Sequence, residues 1–422
     1  MNSGQPMKSN TSFTFEFLLL LTGFLLPCGE ELKEIFGFDV AKLYVAPLAG
    51  LIIYWVLIIK EKFVFPKYLN LFYLFIFLHT LITHGIIFRN GFSFVDPRFY
   101  IFSNPDPHAL NNYDRTEAIG ISVLRQFIFI LSGFAICAAI QSKRLLFHFV
   151  LAYSVGLSVV SCISLSSLNV STGERLSGGV LDPNVFGLSG ATLAFLATIF
   201  ITDKEIKFFQ KLFLLFSFVL GIAVILSSAS RGALLCVVMG FLVTLSNSKL
   251  SFEKIGALVL GSIVVIVLFE ILRSQAQTGD ALSNKDRYSF SGALSDHGSG
   301  RTDIWHDYLH PAAVRKFFIT GVGFGRSTEA IRETYTYALM VPHNNYLGIL
   351  VHYGIVGFML FCVAAVQIWR NIRITAIRGL YMMWLVFGFF SETFDLRETG
   401  IILSIVCCSV AQKPWLEMKL KA

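Results

Sequence analysis

The feature that most constrains this chain is its repeated apolar block, an uninterrupted run long enough to cross the hydrocarbon layer, as at residues 68–88 and 256–272. Inside a bilayer no water is present to satisfy backbone N–H and C=O groups, so a block of about 17 to 25 apolar residues crosses as a helix that closes its own hydrogen bonds. The 422-residue chain is 55% hydrophobic and only 14% charged, whereas a soluble chain carries about a quarter charged residues. An all-α, polytopic transmembrane protein of about twelve helices follows. The blocks predict helices near residues 12–28, 42–59, 68–88, 119–140, 145–170, 185–202, 212–228, 232–247, 255–272, 345–366, 376–391 and 399–411.

The first block, Phe13 to Leu26, has neither a strongly basic leader nor a small-x-small cleavage site and is expected to be retained. The seven cysteines (Cys28, Cys137, Cys162, Cys236, Cys362, Cys407 and Cys408) lie in or at the ends of apolar blocks. They read as small core residues, neither a disulfide framework nor a metal site.

Charge sets the orientation. With the N-terminus in the cytoplasm, the inner segments hold seventeen Lys and Arg residues, among them Lys143, Arg144, Lys207, Arg370 and Arg378, and the short outer loops hold eight. The positive-inside rule therefore favours this arrangement. It accounts for the net charge of +7 as cytoplasmic anchoring and leaves no basic patch that calls for nucleic acid. No Walker loop, dinucleotide fingerprint or aromatic RNA-binding motif occurs, which disfavours a cytoplasmic ATP-driven enzyme. Nor do the two halves repeat one another, as a transporter built from inverted repeats more often would.

This topology divides the chain into helices one to nine (residues 1–272), a long outer, periplasmic loop (273–342), and the last three helices with a cytoplasmic tail (343–422). A structured insertion of roughly 70 residues needs a reason. In it Ile304, Trp305, Tyr308 and Leu309 recur at helical spacing between polar residues, predicting an amphipathic helix laid on the membrane surface. The run Gly321-Val322-Gly323-Phe324-Gly325 is expected to end that helix, and Pro342-His343-Asn344 to open the tenth span.

His343 and Asn344 thus stand at a helix N-terminus, where free N–H groups and the helix dipole favour an anion. Arg231, in the short outer turn Ser227 to Gly232, Arg175, in Glu174 to Gly179, and Arg301 all fall on the same side. Guanidinium groups grip phosphate oxygens as a fork, so three converging arginines would suit a lipid-linked pyrophosphate. Each residue also has a plainer use. Interfacial arginines anchor helices, a histidine at a helix start can act as a cap, and Gly354 with Gly357 can form a helix-packing surface. Arg125 and Glu270, near outer helix ends, are secondary candidates.

Together these residues resemble a known pattern. His343-Asn344, nine residues, then Gly354-Ile355-Val356-Gly357 is similar to the H-N-x9-G-x-x-G pattern of bacterial O-antigen ligases and the related O-antigen polymerases. Supporting segments are Arg175-Leu176-Ser177-Gly178 leading to Asp182-Pro183-Asn184, then Ser230-Arg231-Gly232, and Gly300 to Trp305. The resemblance covers about residues 170 to 360. It implies a polytopic inner-membrane glycosyltransferase that works on the periplasmic side with an undecaprenyl-pyrophosphate-linked glycan as donor, and needs neither nucleotide sugar nor metal. His343 matches the family's essential loop histidine. Arg231 and Arg301 fall where the family keeps functional arginines, and Arg175, Asn344, Asp182 and Asn184 are expected to bind substrate.

The chemistry agrees. A leaving pyrophosphate gains negative charge that fixed arginines can stabilise without a cation, and histidine, which titrates near neutrality, can take the proton of an attacking hydroxyl. Direct attack would invert the anomeric centre. Transfer to a lipid A-core sugar, completing lipopolysaccharide, is the first expectation. Polymerisation on a second lipid-linked glycan, and transfer to a protein hydroxyl, share the donor chemistry. A glycolipid transporter is the non-enzymatic alternative. Membrane lipids are partners throughout.

Overall fold

The computed structural model describes residues 9–28, 45–54, 66–90, 143–166, 183–201, 206–246, 301–324, 327–331, 341–372 and 374–391, with a few isolated positions besides. Every regular element among them is a helix. The apolar blocks give α1 (Ser9–Leu25), α2 (Val45–Tyr54), α3 (Lys67–Asn90), α4 (Lys143–Ser166), α5 (Pro183–Ile201), α6 (Phe208–Ser227) and α7 (Arg231–Ser246). The loop gives α8 (Arg301–Leu309), α9 (Pro311–Phe317) and α10 (Ser327–Ile331), followed by α11 (Asn345–Asn371) and α12 (Thr375–Phe387). Among the described residues four helices are long and apolar enough to span a membrane, namely α5, α6, α11 and Arg144–Ile163 of α4, and four more are apolar but shorter. This is an integral membrane protein. The expected spans at 119–140, 255–272 and 399–411 fall wholly or largely outside the described residues, as do Arg125 and Glu270.

Helix α5 is the pillar of the bundle, because its small residues let neighbours approach on every side. Gly190 and Gly221 bring α5 and α6 so close that a Cβ on Gly190 would lie 2.7 Å from the Gly221 carbonyl oxygen. Gly240 and Gly379 do the same for α7 and α12, where a Cβ on Gly240 would sit 3.0 Å from the Gly379 oxygen. In lipid, where water does not drive helices together, such close backbone contact and its dispersion energy hold a bundle. The opposite faces remain apolar and uncovered, as at Phe208, Phe209, Leu212 and Phe216 on α6, which suits contact with lipid.

Polar links fix the register of the outer helices. Glu16 of α1 and His148 of α4 pair at 2.7 Å, so two ionisable groups in apolar helices share one interaction. Helices α1 and α4 run parallel, with Gly23 on Phe149 and Gly156 on Pro27. Helices α3 and α11 run antiparallel: the Tyr68 amide donates to Gln367 Oε1 at 3.0 Å and Phe72 packs on Phe361. Both relations agree with the directions that the charge distribution assigned. At the turn joining α11 to α12, Arg378 donates through Nε to the Ile372 carbonyl at 2.7 Å.

Two sequence expectations are corrected by packing. The apolar face of α8 is taken up largely by protein: Ile304 and Tyr308 are buried in a small second core with Ala313, Phe317, Ile331 and Val351, and Leu309 alone of that set is exposed. That helix also stops at Leu309, well before the glycines, because Pro311 starts a new one whose N-terminus is capped by His310.

The second correction concerns the tenth span, which is broken at Gly354 (φ 68, ψ −173). Nearly every residue from Gly348 to Gly354 is enclosed, whereas Val356, Met359, Val363 and Val366 form an exposed stripe beyond the break. Backbone groups released by the break are taken up by the loop: Val322 N–H donates to Val351 O at 2.9 Å, Gly323 N–H to His352 O at 3.0 Å, and Ile355 N–H to Phe318 O at 2.7 Å. Gly321 (φ 71) and Gly354 face one another there, and a Cβ on Gly354 would come 2.8 Å from the Gly321 nitrogen. Irregular backbone inside a span is tolerated only where protein or water satisfies it, and here the glycine run does so.

Candidate active site

Four chain segments meet at one end of the bundle, and local chemistry fixes each. The hairpin between α6 and α7 turns within Ser228 to Ser230 because Ala229 takes a left-handed conformation (φ 48). Ser230 then caps α7, its hydroxyl accepting from Ala233 N–H at 3.3 Å. The same hydroxyl donates to Asn184 Oδ1 at 3.2 Å, so the first turn of α5 is joined to the turn that delivers Arg231. Gly187 permits this, since a Cβ there would stand 2.7 Å from the Ser230 Cβ.

On its other side the start of α7 meets the end of α12: a Cβ on Gly232 would lie 2.9 Å from the Phe390 ring. Two residues before Phe390, the Gly388 carbonyl accepts from Asn345 N–H at 2.6 Å. Tyr346 donates its hydroxyl to Leu385 O at 2.6 Å and packs its ring on Phe389. The N-terminus of α11 is thereby held against the hairpin side of the bundle.

His343 sits at that N-terminus in a left-handed conformation (φ 48), uncommon for a residue with a side chain and sustained only where neighbours dictate it. After it Asn344 is extended and caps α11, its Oδ1 accepting from the N–H groups of Tyr346 and Leu347 at 3.0 Å each. Before it, the Pro342 carbonyl accepts from Trp305 Nε1–H at 2.8 Å. Trp305 is on α8, one turn after Arg301, and thus links the arginine's helix to the histidine's turn.

Of the sequence-predicted residues, Arg231 and Asn184 therefore stand in touching segments, His343 and Asn344 in a segment bound to the same end of α12, and Arg301 on a helix tied to Pro342. Arg175 and Asp182 lie outside the described residues. Because its oxygen is committed to the cap, Asn344 retains only its amide N–H groups for a ligand. Helices α5, α7 and α11 each begin here, so three positive dipole ends make this end favourable for anions, and Arg231 and Arg301 are carried by segments linked to it. Among the described residues no three His, Cys, Asp or Glu side chains gather as a metal would require.

Sequence reading missed Trp305 as a link and treated Gly321 and Gly323 as a terminator. A signal was present: glycines repeated before a glycine placed inside an apolar helix point to close backbone contact.

Comparison with known families bears on the same segments. Residues 216–362 match the family model described as O-Antigen ligase. The match runs from α6 to α11 and includes Arg231, Arg301, His343 and Gly354. Over these residues the chain is similar to the O-antigen ligase family of membrane proteins. No curated protein matches the chain.

Proposed function

We propose that the protein transfers a glycan from undecaprenyl pyrophosphate to a hydroxyl of a lipid A-core sugar, at the periplasmic face of the inner membrane. What supports this reading is the meeting, at one end of the bundle, of the Arg231 hairpin, the start of α5, the His343 turn and the helix that carries Arg301. Arg231 and Arg301, with Arg175, hold the pyrophosphate, and Asn184, Asp182 and the Asn344 amide contribute to binding.

In the reaction His343 accepts the proton of the acceptor hydroxyl while its oxygen attacks the anomeric carbon. The bond from that carbon to the pyrophosphate oxygen breaks, its electron pair leaves with undecaprenyl pyrophosphate, and the anomeric centre inverts. The arginines stabilise the charge that develops on the leaving oxygen, the largest contribution fixed groups can make. The site needs no metal ion and no ATP, because the pyrophosphate bond is itself activated.

Two experiments test this. Purified protein given lipid-linked glycan and lipid A-core should form product without ATP; tight donor binding with no product, by folded protein, would leave a transporter instead. In cells, deletion should leave lipid A-core bearing no polymer on gels. Single repeats on the core would identify a polymerase, and unchanged lipopolysaccharide with unglycosylated protein would move the acceptor to a protein hydroxyl.

A further inference from the structure

We infer that Trp305 is a positioning residue that sets His343 against Arg301, through the hydrogen bond from its indole N–H to the Pro342 carbonyl; this rests on the catalytic reading of His343 given above.

The left-handed backbone of His343 is clamped from both directions. On its C-terminal side Asn344 caps α11 and Asn345 N–H is bound to Gly388 O, which fixes the turn to the membrane bundle. On its N-terminal side the Trp305 bond at 2.8 Å fixes the same turn to α8. A left-handed residue with a side chain is strained and persists only where its surroundings hold it. Removing either clamp lets the peptide before His343 rotate and carries the imidazole with it.

Trp305 is suited to this by its place on α8. It follows Arg301 by four residues, about 6 Å along the same helix face. Its ring packs beside the core formed by Ile304, Tyr308, Phe317 and Val351, while Ile304 and Tyr308 anchor α8 beneath it. The indole therefore offers a rigid donor whose position is dictated by the helix that bears the arginine. Charge stabilisation at the leaving group and proton removal at the acceptor belong to one transition state, and displacement of about 1 Å between such groups costs on the order of a hundredfold in rate.

The test uses full-length protein in lipid vesicles with lipid-linked donor and lipid A-core acceptor. Trp305→Phe keeps most of the packing but loses the N–H. It should lower kcat about tenfold or more, leave the donor KM within twofold, and leave the thermal midpoint close to that of the parent. Combined with His343→Ala it should cause no further loss, because the bond acts only through the histidine.

A full kcat in Trp305→Phe, beside an inactive His343→Ala, would overturn the positioning role while leaving the catalytic reading intact. A raised KM, a lowered midpoint and additive losses would overturn it as well, in favour of packing alone. Should His343→Ala itself retain near-parental turnover, the catalytic reading would fail and this inference with it. Trp305→His, which restores a ring N–H, should recover part of kcat.

Discussion

Replacing a glycine by alanine inside a helix ordinarily stabilises it by about 1 kcal/mol, and Gly354→Ala should do the reverse to the docked loop. The native φ of 68 and ψ of −173 lie in a region that is essentially glycine's alone, so a side chain there costs about 1–3 kcal/mol. The added Cβ would also meet Ile319 and Gly321, with the Ile319 carbonyl carbon at 2.7 Å and the Gly321 nitrogen at 2.8 Å. A straightened α11 would regain its own hydrogen bonds, roughly offsetting the three bonds to the loop, each worth about 1 kcal/mol, and would gain the alanine propensity of about 1 kcal/mol besides. The net swing is about 2–4 kcal/mol toward the undocked, straight helix, or roughly 30- to 1,000-fold in the ratio of the two states. Hydrogen exchange read by mass spectrometry on the peptide covering residues 316–324 reports this directly, since the Val322 and Gly323 amides are the donors. Their exchange should accelerate at least thirtyfold, while α5 and α6 remain protected and glycan transfer falls in parallel. Protection within threefold of the parent, with a folded variant, would refute the interlock.

Other perturbations separate the parts of the account. Asn344→Ala should remove the cap of α11 at a cost of about 1 kcal/mol, lowering the thermal midpoint in detergent, and Asn344→Ser should restore most of it. At the α5–α6 contact, Gly190→Val forces the two backbones apart; overpacking of this kind costs about 1–3 kcal/mol and should show as a lower midpoint without any change in donor affinity. Arg301→Ala and Arg231→Ala should each reduce transfer by about a hundredfold or more with insertion unaffected. The Lys variants should recover only part, because an ammonium is a point charge without the guanidinium fork. A chelator should leave the initial rate within twofold, measured against untreated protein.

Helix existence, and the directions of the pairs α1–α4 and α3–α11, were legible because hydrophobic length and basic flanks are local properties that the bilayer enforces. The ends that carry Arg231, Asn184 and His343 were legible for the same reason: once direction is known, the side of each turn follows. What periodicity could not reveal is where an apolar face goes when two hosts compete for it. Ile304 and Tyr308 have the spacing of a membrane-surface helix, yet the loop supplies its own core and α11 lends Val351 to it. The break at Gly354 was hidden similarly. An isolated glycine in an apolar run fits a helix-packing surface as well as a kink, and only the partners at Val322 and Gly323, some thirty residues earlier in the chain, distinguish the two. Trp305 was read as one more apolar residue on a face, because a hydrogen bond to a distant carbonyl leaves no pattern in spacing.

The central claim is that His343, held in its left-handed turn at the start of α11, takes the proton of the acceptor as the glycan leaves its pyrophosphate carrier. Single-turnover transfer by purified His343→Ala, in vesicles with saturating donor and acceptor, measures it most directly. Donor binding should stay near that of the parent and the rate of transfer should fall by about a hundredfold or more, with no change in expression or insertion. Transfer at close to the parental rate would contradict it.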